Sequence, residues 1–192
     1  MPSTHTRDDE GSALRPETPL SAASLTTLAE RRLASGHWLL ASATTLPVAM
    51  RTWRENGAAW LRPGALYCAV LIPAAVMHAA TGYDTPEACA PRLADVLDGP
   101  VFYDPSSFRQ EGGYTALLPL HAALMWRVPS TLLHPPGTPL LVPAPDRCTP
   151  VDGRPWWVVP LESPGQLCSP ALVAALAGLG RRRIVPEGGE LQ

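Results

Sequence analysis

Lysine is absent from this 192-residue chain, so every one of its 15 basic side chains outside histidine is an arginine. Together with abundant alanine, proline and glycine, that usage fits a GC-rich bacterial genome, a bias of coding more than of chemistry. Charge is also scarce: 17% of residues are charged and the formal net charge is −2, too mild for general disorder and without the strong positive excess of a nucleic-acid-binding domain. What charge there is lies unevenly, with 2 arginines against 4 acids in residues 1–23, 2 acids in residues 184–192, and 13 arginines against 11 acids between them. Electrostatics leaves the partner open.

The four cysteines, Cys68, Cys89, Cys148 and Cys168, form no CxxC pair. Widely spaced thiols of this kind read as small buried side chains in a reducing compartment, not as disulfides. Adding His78, His121 and His134 still yields no pair at zinc-ligand spacing, so neither a metal nor a cofactor is implied. The one long apolar run, residues 65–80, is too short for a bilayer and contains Pro73 and His78. The first 20 residues have neither the basic start nor the apolar stretch of a secretory signal. No membrane partner and a cytoplasmic location are therefore expected. GxSxG, GxxxxGK[ST] and GxGxxG are all missing, which leaves hydrolase, P-loop and dinucleotide readings without their primary signal.

Proline, in contrast, is abundant: 23 residues, about 12% against a usual value near 5%. Because proline breaks helix interiors and central strands, elements should be short and loops stiff. An apolar share of 46% supports one core, and the expected organisation is a disordered tail over residues 1–23, one globular domain over 24–183 and a second disordered tail over 184–192.

The spacing of Leu25, Leu28, Leu33 and Leu40 predicts a helix, with Thr27 and Glu30 as a capping box and Gly36 as a break or kink. Pro47 opens a second helix that stops at Asn56-Gly57 and turns Trp53 inward. A hairpin comes next, from Trp60-Leu61 through the turn Arg62-Pro63-Gly64-Ala65 into a central strand, Leu66–Ile72. Pro73 begins a helix that ends at Gly82, and Thr85-Pro86-Glu87 begins another that runs to Leu97 and stops at Gly99. Apolar runs at residues 100–103, 114–118, 139–142 and 156–159 read as an antiparallel meander, before a last helix from Ser169-Pro170 to Leu179. The expected fold class is mixed α and β, α+β, with a mainly antiparallel sheet, helices chiefly on one face, and the other face open for binding.

Candidate sites are few. Asp95, Asp98 and Asp104 are the only acids grouped as magnesium ligands would be, although a solvated helix end plus an Asp-Pro turn accounts for them better. Trp156 and Trp157 adjoin in a strand; neighbours face opposite ways, so one ring belongs to the core and the other, assigned to Trp157, is free to stack on a ligand. Arg127, Arg154, Arg181, Arg182 and Arg183 are candidate phosphate contacts, although for the last three an offset to a helix dipole is the better account.

The segments TWRENGAAW, YCAVLIPAAV, LDGPVF, GTPLLVPAPD and WWVVPLESPGQLCSPALVAAL, in this succession over residues 25–180, resemble small actinobacterial proteins related to the N-terminal domain of bifunctional DNA primase/polymerases. The resemblance implies a primase-polymerase-like fold and a place in DNA replication. In that family acidic residues on the strand before the proline hold the two metal ions of nucleotidyl transfer. Here Cys68 and Leu71 stand at those positions, and neither offers magnesium a hard oxygen. The resemblance with this departure implies a non-catalytic module with a binding or regulatory role, through a protein partner. One alternative is weak nucleic-acid or nucleotide binding; another is an active primase/polymerase using Asp95, Asp98 and Asp104.

Overall fold

The computed structural model describes residues 27–151 and 153–184. The expected tails fall outside these, apart from Ile184. The first helix, α1 (Leu28–Leu40), has the expected capping box: the Glu30 amide donates to the Thr27 hydroxyl at 3.2 Å, and the Thr27 amide to the Glu30 carboxylate at 2.6 Å. Gly36 does not interrupt it. In α2 (Leu46–Asn56), Pro47 lies in the first turn, where no amide donor is needed, and Gly57 closes the helix at φ +71°. After β1 (Ala58–Leu61) and β2 (Cys68–Pro73) come α3 (Ala74–Thr81) and α4 (Pro86–Leu97), the latter capped by the Thr85 hydroxyl. Asp98, not Gly99, takes the left-handed position that ends α4. Gly99 is needed for a different reason, since a Cβ there would collide with the backbone of Cys168.

The second half contains β3 (Val101–Asp104), the single turn α5 (Ser107–Gln110), β4 (Gly113–Leu118), the short α6 (Ala122–Met125), β5 (Leu132–Leu133), β6 (Leu140–Pro143), β7 (Trp156–Val159) and α7 (Pro170–Ile184). Within α5, Phe108, Arg109 and Gln110 all have positive φ, at 49°, 59° and 72°. Each such residue costs about 1–2 kcal/mol in backbone strain. α7 continues through Arg181, Arg182 and Arg183, beyond the expected end at Leu179, because its apolar stripe of Val173, Leu176, Ala177 and Gly180 continues on one face.

All strand pairs are antiparallel, and they form two sheets, a five-stranded one in the order β5-β2-β4-β3-β7 and a two-stranded one of β1 and β6. The mixed α+β class is as expected; the strand pairing differs from the hairpin and meander read from sequence. β1 pairs with β6, Ala58 opposite Pro143 and Leu61 opposite Leu140, and not with β2. The Arg62 amide donates to Ser42 and the fully buried Tyr67 fills the connection, which carries the chain from one sheet into the other. The run at 139–142 accordingly leaves the main sheet, in which β2 is an interior strand between β5 and β4, as expected, and β4 is the middle one.

Each face of the main sheet has its own apolar cluster. Cys68, Val70 and Ile72 of β2, Tyr114, Ala116 and Leu118 of β4, and Trp156 and Val158 of β7 meet α3, α4 and α7. The alternate residues Ala69, Leu117, Phe102 and Trp157 meet Leu39 of α1, Trp53 of α2, and Leu61 and Val142 of the small sheet. Helices lie directly on the first face, as expected, but the second face is covered too. The expected open binding face does not exist, because β4 and β7 are apolar at nearly every position and both sides of them require cover. Among the described residues, no helix is long and apolar enough to cross a membrane.

Candidate functional site

Trp157 is 1% exposed, donates its indole N–H to the Ala144 carbonyl at 3.1 Å, and meets Phe102 edge to face with centroids 5.3 Å apart. It cannot stack on a ligand, and Trp156 is buried as well. The expectation of one free ring fails for the same reason as the open face: alternation exposes a side chain only where one side of the strand is uncovered.

The candidate arginines lie in three parts of the chain, the segment after α6, the turn before β7 and the end of α7. Arg127 donates to the carbonyl of its neighbour Trp126 at 2.7 Å, and Arg154 donates to Asn56 at the end of α2 at 2.6 Å. Arg183 donates to Ala79 at 2.8 Å and Ala80 at 3.0 Å, where α3 runs out of intrahelical partners for its carbonyls. Arg181 and Arg182 are exposed in the last turn of α7.

The three aspartates are not gathered into a metal-holding group, and among the described residues no cluster of three or more His, Cys, Asp or Glu side chains is arranged to hold one. Asp95 and Asp98 are exposed along and beyond α4. Asp104 accepts the Ser106 amide at 2.8 Å in the expected Asp-Pro turn; burial pushes its carboxyl above the ordinary range while that hydrogen bond pulls it back. Cys68 and Leu71 are three residues apart in a strand and so face opposite sides of the sheet. The Cys68 thiol donates to Pro119 at 3.3 Å and is pushed up by burial, and Cys168, donating to Pro100, is pushed up to about 12. His78 Nε2 lies 3.1 Å from the Tyr114 hydroxyl, and His134 pairs with Thr138.

Of the concave surfaces that border the α1–α2 pair, two combine apolar side chains with arginine, and neither is evident from motifs. The first is a groove of about 530 Å³ between α1, α2 and the turn at residues 144–147. Leu33, Met50 and Pro145 contribute apolar surface to it, and Arg32, Arg54 and Arg147 surround this with cations. The second is a cleft of about 550 Å³ bordered by Thr45, Val48, Thr52, Trp60, Arg62 and Pro139. Trp60 is 60% exposed there. It occupies the outward register of β1, between the fully buried Ala59 and Leu61, and that alternation was the one available signal for it. The signal for the groove was weaker: α2 buries only Ala49 and Trp53, leaving Leu46, Val48 and Met50 outside.

No family model, curated protein or solved structure matches this chain. Its chemistry must be argued from these surfaces.

Proposed function

We propose that this chain is a non-catalytic, primase-polymerase-like module that acts in the cytoplasm by binding a protein partner. The observation that carries the reading is the surface of α1 and α2, where Leu33 and Met50 are exposed at the groove and Leu28, Leu46 and Val48 are exposed elsewhere on the same two helices. Apolar side chains exposed at a concave surface are costly to leave in water and are characteristic of interaction sites. The substitution of carboxylates by Cys68 and Leu71, implied by the family resemblance, supports the non-catalytic half of the reading.

A second reading, weak binding of nucleic acid or nucleotide in DNA replication, is favoured by one observation, the exposed Trp60 beside Arg62. An accessible indole with an adjacent guanidinium can stack on a base and meet a phosphate. The test is a pair of assays on purified protein. Primer extension with magnesium or manganese should give no incorporation, and single-stranded and duplex DNA should not bind at about 50 mM salt. Template-dependent incorporation would overturn the non-catalytic reading. DNA binding that weakens steeply with salt and is lost in Trp60→Ala would favour the second reading over the first.

A further inference from the structure

The groove between α1, α2 and the 144–147 turn combines two features that call for one kind of occupant. Its apolar surface comes from neighbouring helices: Leu33 and Leu40 are two turns apart on α1, and Met50 and Trp53 are one turn apart on α2. Leu33 is 61% exposed. At Gly36 the helix surface has no side chain, and the wall behind it is the ring of Pro145, which a Cβ would approach to 3.3 Å. The floor is thus a shallow apolar trough, wide enough for a few inserted side chains.

The rim is cationic. Arg32 on α1, Arg54 on α2 and Arg147 on the turn border the trough, with His37 beside them and Asp146 as the single carboxylate. The Arg147 guanidinium lies against Gly57, whose missing side chain leaves room for it. An occupant must therefore present apolar side chains about one turn apart and carboxylates on either side of them. A nucleic acid fits less well, because Trp53 is edge-buried at 8% exposure and the floor offers no open aromatic face for a base.

We infer that this groove is the docking site for an acidic, amphipathic helical segment of a partner protein, whose leucine-like side chains enter between Leu33 and Met50 and whose carboxylates meet Arg32, Arg54 and Arg147. The inference rests on the binding-module reading above and adds to it the site and the chemistry of the partner. Helix-in-groove recognition of this kind takes affinity from the apolar anchors, and orientation and association rate from the charges.

The probe is a fluorescently labelled synthetic peptide of 16 residues, with leucine at helical spacing and glutamate elsewhere, titrated with the full-length protein and read by anisotropy. Two further peptides act as controls, one with the same composition scrambled and one with glutamine in place of glutamate. The designed peptide should bind saturably and the controls about tenfold more weakly, with the charge-dependent part falling as salt rises. Leu33→Asp and Arg54→Glu should each weaken it by about tenfold. Both side chains are exposed, and circular dichroism checks that the fold is retained. Leu124→Asp, on the exposed surface of α6, should leave it unchanged.

If Leu124→Asp abolishes binding and the groove variants do not, the groove is the wrong site while the binding-module reading stands. Absence of saturable binding by the designed peptide overturns the inference. So does equal binding of all three peptides, or displacement of the bound peptide by a single-stranded oligonucleotide or by vesicles containing anionic lipid.

Discussion

The two sides of the five-stranded sheet are built from the same strands but finished differently. On one side α3, α4 and α7 are locked against the sheet and each other: Gly180 brings the α7 backbone onto the carbonyl of Val76, and Arg183 caps the end of α3. On the other, α1, α2 and the small sheet bury Leu39, Trp53 and Trp157 inward yet expose Leu33, Met50 and Trp60 outward. The first side uses most of its apolar residues for stability, although Leu124 and Met125 of α6 and Leu172 of α7 remain outside. The second divides them between stability and an accessible surface, and the groove and the cleft with arginine at their borders lie there.

This contrast breaks down if the α1–α2 side is an appendage and not half of one core. Trp157→Ala tests this with the largest expected effect. The substitution removes a fully buried ring, its hydrogen bond to Ala144 and its contact with Phe102. A loss of about 4 kcal/mol is expected, in a single cooperative denaturation transition followed both by fluorescence and by circular dichroism. Two separated transitions would mean that the side carrying the grooves folds independently.

Two helical glycines sharpen the contrast. At Gly180 an added methyl would meet a backbone carbonyl that cannot retreat, and Gly180→Ala should cost about 3 kcal/mol by forcing α7 away from α3. At Gly36 the nearest atom is a ring carbon of Pro145 at 3.3 Å, which can give by a few tenths of an ångström. Gly36→Ala should therefore stabilise by about 0.5 kcal/mol, since alanine's helix propensity outweighs the small repulsion. Thermal melts of the two variants measure the difference directly, and equal destabilisation would contradict the looser packing assigned to α1.

Local signals made much of this fold legible in the sequence. Thr27 with Glu30, Pro47 with Gly57, Thr85-Pro86 and Gly82 each mark a helix end by chemistry confined to a few residues, and each marks it in the structure. Pairing was not legible, because β1 and β6 are almost 80 residues apart and nothing in either names the other. The two-sided burial was legible in principle. Tyr114–Leu118 and Trp156–Val159 lack the polar alternation of a half-exposed strand, the mark of cover on both faces, which places Trp157 in the core. Neither groove could be found from motifs, since Arg32, Arg54 and Arg147 converge only through the packing of α1, α2 and a distant turn.

Ser35 offers a smaller test on the α1 side. Its hydroxyl is fully buried and has no hydrogen-bond partner among the described residues. Such a group carries a desolvation cost without compensation, and serine is also a poorer helix former than alanine. Ser35→Ala should stabilise the protein by about 1 kcal/mol, raising the midpoint of thermal unfolding by about 3 °C. Destabilisation would mean that the hydroxyl is satisfied after all and that α1 is held more firmly than its surface suggests.

The smallest expected effect lies on the locked side, at His78. Burial lowers its pKa from the ordinary 6.5, against a partial opposing pull from Asp84. The neutral ring is the form suited to accept a hydrogen bond from the Tyr114 hydroxyl 3.1 Å away. Because the folded value lies below the unfolded one, the unfolded state takes up a proton first on acidification. The stabilisation is thus complete above pH 6.5 and is lost as the pH falls from there through the folded value. The ring is partly open to solvent, so the loss should amount to only a few tenths of a kcal/mol. Comparing denaturant midpoints of the wild type and His78→Gln between pH 7.5 and pH 5 isolates this contribution from that of the carboxylates. A wild type that instead gained stability relative to the variant as the pH fell would mean that the imidazolium is the favoured form, and that this side of the sheet is more open to water than its packing implies.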